Sequence, residues 1–151
     1  MTTAAGIVVR ETLKTGLGMF AVWNRQDFSE IFDHEAWKSE LGDDKAIGRH
    51  VAKGTLVPIK VLSSGSFTFE IRVGSPDSPA ALTPSEHRSV NDSSEPHRFR
   101  SLGGLNLSAI EAIGSEVGND VARVRMVPGD YAVTVHRMSG DSFVVLVNPV
   151  S

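Results

Sequence analysis

The chain has 151 residues, 40% hydrophobic and 22% charged, the size and composition of one ordinary domain, and it is expected to form a single domain over 1–151. Its formal net charge of −3 is too mild for a polyion partner and lacks the basic excess of a nucleic-acid binder, so no nucleic-acid partner is expected. The absence of cysteine excludes disulfides, thiolate metal sites and thiol nucleophiles, and favours a reducing compartment, read here as cytoplasmic.

The first apolar run, Ile7-Val8-Val9, is too short for a signal peptide. No stretch approaches the ~18–20 apolar residues of a membrane span, so no membrane association is expected. Ile7–Leu13 is β-branched and reads as a strand, closed by a turn at Lys14-Thr15-Gly16. Leu17–Asn24 is a second strand with apolar residues on both faces, which predicts cover on both sides.

Asp27, with Glu30 three residues on, predicts the start of an amphipathic helix over about residues 28–41. Phe28, Ile31, Phe32 and Leu41 form its apolar stripe, and Gly42 is its stop. The following Gly42–Lys53 is polar and glycine-punctuated and reads as loop. Thr55–Leu62 is a strand that Pro58 confines to an edge or a bulge. Phe67–Val73 alternates cleanly, with Phe67, Phe69, Ile71 and Val73 facing inward.

The stretch at about 74–97 is a long Pro/Ser-rich loop, with Pro76, Pro79, Pro84 and Pro96 and few apolar residues. Order resumes over Phe99–Leu107, with a turn or bulge at Gly103-Gly104. Ser108–Val117 reads as a strand running into a short helical turn, with Ser108 and Glu111 as a capping box. Val121–Val147 then reads as a β-meander of three strands, turning at Pro128-Gly129 and Ser139-Gly140. Its last strand, Phe143–Val147, is apolar on both faces, and the helix at 28–41 is its expected cover. The run Val127-Pro128-Gly129-Asp130-Tyr131 through Val135 resembles the proline-glycine-tyrosine hairpins of bacterial β-sandwich modules, which implies a fold class and no residue roles. The expected fold is mainly β: an antiparallel β-sandwich or partly open barrel with one amphipathic helix packed on it.

Candidate chemistry is sparse. His34 opens His-Glu-Ala-Trp-Lys and lacks the second histidine of a zinc helix; no histidine pair has ligand spacing, so no metal and no cofactor are expected. There is no Gly-x-Ser-x-Gly elbow, and Gly103-Gly104 leads into a strand rather than a phosphate-binding helix. Trp23, Trp37, Phe28 and Phe32 read as core rather than as a ligand platform. Basic residues offer one binding candidate. Arg98, Arg100, Arg123 and Arg125, with His87, Arg88 and His97, would form an anion-binding face if the Phe99 strand neighbours the Ala122 strand.

Lacking a catalytic set, the chain reads as a non-catalytic binding or regulatory module of immunity-like or accessory type, with a protein partner and a possible homodimer. The alternatives are a small-ligand or carbohydrate-binding β-sandwich, and a hydrolase using histidines and carboxylates near the long loop.

Overall fold

The computed structural model describes residues 7–114 and 121–150. It is a two-sheet sandwich, mainly β as expected. The strands are β1 (Ile7–Thr15), β2 (Met19–Trp23), β3 (Leu56–Lys60), β4 (Gly65–Val73), β5 (Asp92–Ser93), β6 (His97–Ser101), β7 (Gly104–Ala109), β8 (Val121–Arg125), β9 (Gly129–Arg137) and β10 (Ser142–Pro149). The large sheet runs β1-β4-β10-β9, with β5 and β6 both along the outer side of β9; the small sheet runs β3-β2-β7-β8. The pairing of β4 with β10 is parallel, a departure from a purely antiparallel sandwich. The two strands are joined through β5, β6 and β9 of the large sheet and β7 and β8 of the small one, the long crossover that parallel pairing requires.

The alternating residues of β4 lie where the sequence placed them. Phe67, Phe69, Ile71 and Val73 are buried between the sheets with Phe143, Val145 and Val147 of β10 and Phe20 and Val22 of β2. The Phe69 ring stacks on Phe143 at 5.1 Å and meets Phe20 edge-on at 4.7 Å. Pro58 sits on the edge strand of the small sheet, where its missing N–H leaves no ladder bond unmade.

The expected meander over 121–147 is corrected. Only β9 and β10 form a hairpin; β8 pairs with β7 in the other sheet, so the Pro128-Gly129 turn carries the chain across the sandwich. The single helix over 28–41 is also corrected. A 3-10 turn at Gln26–Phe28 and a short irregular stretch precede a helix α1 of only His34–Leu41. Asp33 is the reason. It adopts an extended backbone and its carboxylate accepts from the Ala36 N–H at 2.8 Å, so it caps α1 and ends whatever precedes it. The Asp27/Glu30 capping box is not made, and Phe32 lies 80% exposed.

Gly42–Lys53, read as loop, holds a second helix, α2 (Asp44–Lys53). Asp43 caps its start by accepting from the Ala46 N–H, and Gly54 closes it in the left-handed region at φ 77°. Ala46 and His50 lie buried one turn apart, with Ile47 and Val51 beside them, a stripe too short and too mixed to stand out in the sequence.

The 74–97 stretch contains a third helix, α3 (Pro84–Ser89), and β5. Thr83 and Glu86 form a complete capping box, with Pro84 at the first helical position. This segment, not the 28–41 region, covers β10: Leu82 packs on Val144 and Leu146. The helical turn after β7 is a 3-10 turn, Ile110–Ala112; residues 115–117 of that expectation lie outside the described residues. Ser108 does not cap it. Ser108 Oγ donates to the Ala109 carbonyl and accepts from the Trp23 indole.

Candidate functional site

The outer face of the small sheet is built from alternate residues of its strands. Register places Leu56, Trp23, Asn106 and Arg123 in one row across β3, β2, β7 and β8. The row is apolar at one end and polar at the other. The segment from Arg25 through α2 lies over the apolar end, burying Phe28, Ile31 and Leu41 against Trp23 and Leu56. The Trp23 and Phe28 rings meet edge-on at 6.0 Å. Trp37 anchors α1 by donating its indole N–H to the Ile110 carbonyl at 2.9 Å, and the buried His50 ring lies 4.7 Å from Phe28, with Nε2 3.0 Å from a Glu40 oxygen.

The first part of this cover, up to the start of α2, is strongly acidic, whereas α2 itself carries the exposed bases Lys45, Arg49 and Lys53 and brings the whole cover to −2. Between Arg25 and Asp44 stand Asp27, Glu30, Asp33, Glu35, Glu40, Asp43 and Asp44 against only Arg25 and Lys38. That stretch therefore carries −5 in a chain of −3, and the remaining residues sum to a small positive charge. All these carboxylates except the half-buried Glu40 are exposed, and among the described residues only Glu40 meets a basic side chain, the His50 ring. Phe32, the most exposed aromatic of the cover, stands among them beside the cap residue Asp33. A sliding count of charge would have found this patch; a reading directed at motifs and spacing did not.

At the polar end of the row the cover stops short and leaves a cleft of about 190 Å³. Trp23 and Asn106 are at its base, Arg25 and Arg123 at its sides, and Phe28 borders it. A second, open depression of about 530 Å³ lies at the β1–β2 turn, between the exposed Leu17 and Leu62. Leu62 has φ 66°, a left-handed conformation that is strained for a leucine, and its N–H donates to the Gly18 carbonyl at 3.0 Å. Glu111 fixes the facing turn by accepting from the Gly16 N–H and the Thr15 hydroxyl.

The basic residues singled out in the sequence fall into three places. Arg98 and Arg100 point outward from β6, where Arg98 pairs with Asp130 at 3.6 Å and the Arg100 N–H donates to the Gly54 carbonyl. Arg123 and Arg125 point outward from β8. Strands β6 and β8 belong to different sheets and are not neighbours, so the two arginine pairs do not share one face. His87 and Arg88 lie on α3, exposed, and His97 begins β6, half-buried. His87 lies near enough to His136 of β9 for their charges to repel. Burial first, and then repulsion from His87, hold His136 below the ordinary histidine range. Its Nδ1 lies 2.8 Å from Ser93 Oγ. Among the described residues, no group of three or more His, Asp or Glu is placed to hold a metal ion. No helix among them is long and apolar enough to cross a membrane.

No protein-family model matches the chain, and no curated protein matches it. Solved structures do share its fold. One, described as "Crocagin biosynthetic gene J", superposes with a TM-score of 0.71 at 15% identity, over 98% of this chain and 100% of the other. Another is ComJ from Bacillus subtilis, an inhibitor of the DNA degrading activity of NucA, with a TM-score of 0.59 at 15% identity over 97% and 100%. At this identity the likeness establishes a common fold.

Proposed function

We propose that this protein is a non-catalytic binding module that acts on a protein partner with a cationic surface, docking through the acidic 25–44 stretch around Phe32. The observation that carries this reading is the concentration of unpaired, exposed carboxylates about a solvent-facing aromatic ring. Asp33 and Asp43 cap α1 and α2, but the other exposed carboxylates of the stretch have no partner among the described residues and repel one another. They speed encounter with an opposite charge, while a central aromatic ring supplies the apolar anchor of an interface. ComJ, which has the same fold, inhibits an enzyme that degrades DNA. Enzymes that hold a polyanion present lysines and arginines to it, so an inhibitory partner of that class fits an acidic face. An immunity-like or accessory role in the cytoplasm follows from this reading. A homodimer formed through another face is compatible with it.

Affinity capture from native lysate, with the wild-type chain and with a Phe32→Ala, Glu35→Lys chain as parallel baits, tests the proposal. A stoichiometric partner should be held by the first bait, lost from the second, and released as salt rises. Identical recovery by both baits would refute it.

The arginine reading continues as a second proposal in narrower form. With β6 and β8 apart, anion binding falls to Arg123 and Arg125, favoured by the position of Arg123 on the cleft. The other members, His87, Arg88, His97, Arg98 and Arg100, lie apart from them on α3 and β6. Arg123→Glu with Arg125→Glu should abolish binding of an acidic partner, and unchanged binding would remove this reading.

A further inference from the structure

The cleft at the polar end of the Leu56–Trp23–Asn106–Arg123 row has the build of a small-ligand site. Its base is sunk below the surface. Trp23 is 4% exposed and Asn106 7%, and both point to the outer face because their neighbours Val22, Leu105 and Leu107 fill the core between the sheets. The indole N–H is already satisfied by Ser108 Oγ at 3.0 Å, so Trp23 offers an aromatic surface and no free donor. The Asn106 side chain has no hydrogen-bond partner among the described residues. It lines the cleft, so its amide can serve a ligand there. Two guanidinium groups, Arg25 and Arg123, line the sides, and no carboxylate does among the described residues. The mouth is held in shape by Gly114, at φ 84°, whose backbone lies so close to Ile31 that a β-carbon there would collide with it.

We infer that this cleft binds a carboxylate carried on a small flat apolar body. The carboxylate lies between Arg25 and Arg123 and accepts from the Asn106 amide, and the apolar body rests against Trp23 and Phe28. Each feature has a reason. Guanidinium groups and carboxylates match in planar geometry, so their hydrogen bonds are short and charge-assisted. The amide N–H₂ supplies a third donor without adding charge. A cleft of about 190 Å³ is of a size to seat a single ring with one acidic group. The site uses none of the 27–44 carboxylates, so it stands or falls separately from the docking face proposed above.

The test is a nuclear magnetic resonance titration of the ¹⁵N-labelled full chain with benzoate, benzamide and inorganic phosphate as probes. Benzoate should give saturable shifts at the Trp23 indole N–H and the Asn106 side-chain amide. Benzamide, which keeps the ring and lacks the charge, should bind about tenfold more weakly or worse, and so should phosphate, which lacks the ring. Arg123→Gln, at an exposed position on an edge strand, should weaken benzoate by about tenfold. Asn106→Asp keeps the side-chain volume and sets a like charge against the ligand, so it should abolish binding. The inference is overturned if benzoate shifts at these two groups do not saturate, if benzamide or phosphate binds as tightly, or if Arg123→Gln leaves the affinity unchanged in a chain whose spectrum is otherwise native.

Discussion

Each sheet of the sandwich has an outer face, and the two faces are covered by different means. Over the small sheet, the segment from Arg25 through α2 is attached by burial: its Phe28, Ile31 and Leu41, with Ile110 and Ile113 of the turn after β7, pack with Trp23 and Leu56. Over the large sheet, the segment around α3 buries little beyond Leu82 against Val144 and Leu146 and is tied down by polar groups. Arg72 of β4 donates to both oxygens of Glu86 and to the Ala81 carbonyl, and also pairs with Glu70, which in turn pairs with Arg10. Asn148 grips Ala80 from both sides of its amide, accepting from the N–H at 2.7 Å and donating to the carbonyl at 3.0 Å. Gly74 is needed there, since a β-carbon would strike both Asn148 and Ala80. One cover is held mainly by the hydrophobic effect; the other is held by charge and so depends on pH.

The largest effect should come from breaking the apolar cover. Phe28→Ala removes a side chain that is 2% exposed and touches Trp23 and His50, and such truncations cost about 3–5 kcal/mol. The loss should be global in urea denaturation, because the Trp23 face is continuous with the small sheet itself. Arg72→Met should cost less, about 1–3 kcal/mol, mostly by leaving Glu86 and Glu70 without their partner in a half-sheltered place. Here the loss should be local. Amide exchange should quicken across 80–90 and leave β4 protected, whereas Phe28→Ala should speed exchange throughout the small sheet. Equal spread for both variants would erase the distinction between the covers.

The difference between the two covers also explains what could be read from the chain. Strand β4 was legible because one face is buried and the other is not, so Phe67, Phe69, Ile71 and Val73 recur at every second position. Strand β10 was legible as a doubly covered strand, yet its cover was assigned to the wrong segment: Leu82 is one apolar residue in a polar stretch, and its attachment runs through Arg72 and Glu86, distant in sequence. Local signals for the missed helices did exist, in Asp43 with Gly54 and in Thr83-Pro84 with Glu86, but low apolar content outweighed them. The Phe28–Leu41 stripe failed at Asp33, where a side-chain cap competed with helix continuation and left Phe32 outside. The cleft was not legible at all. Arg25, Asn106 and Arg123 meet only through the register of β2 on β7 and β7 on β8, and no local pattern records which strands will pair. The Pro128-Gly129 turn is the same case: it reads identically whether the chain reverses within a sheet or crosses to the other.

Acid should separate the two covers in the wild-type chain. The Arg72 hydrogen bonds hold Glu86 at about 2, against an ordinary value of 4.5, outweighing its burial. Burial alone would raise Glu70, but hydrogen bonds from Arg10 and Arg72 together with their charges bring it below its ordinary value as well. Both groups bind protons more weakly folded than unfolded. Their contribution is complete above about pH 4.5 and is lost as the pH falls toward 2. The 80–90 amides should therefore lose protection in that window before the small sheet does, and in Arg72→Met the pH dependence should flatten. A cover over 80–90 that stays protected down to pH 2 would contradict the charge-held attachment.

The smallest effect tests the same cover near neutrality. His136 lies under the end of the α3 segment, with Ser93 Oγ on Nδ1 and Thr134 Oγ on Nε2. Its folded value lies below the ordinary histidine range, through burial and then through His87, so the unfolded chain takes up the proton first as the pH falls. Stability supplied by this group is present above about 6.5 and declines as the pH drops toward the folded value. His87→Gln removes the repulsion and leaves the burial. In a nuclear magnetic resonance titration His136 should then move back toward the ordinary range without reaching it. No movement would mean that the α3 segment does not hold His87 over β9. A complete return would mean that repulsion, not burial, sets the shift, and that the charge-held cover shields the sheet less than its three buried residues imply.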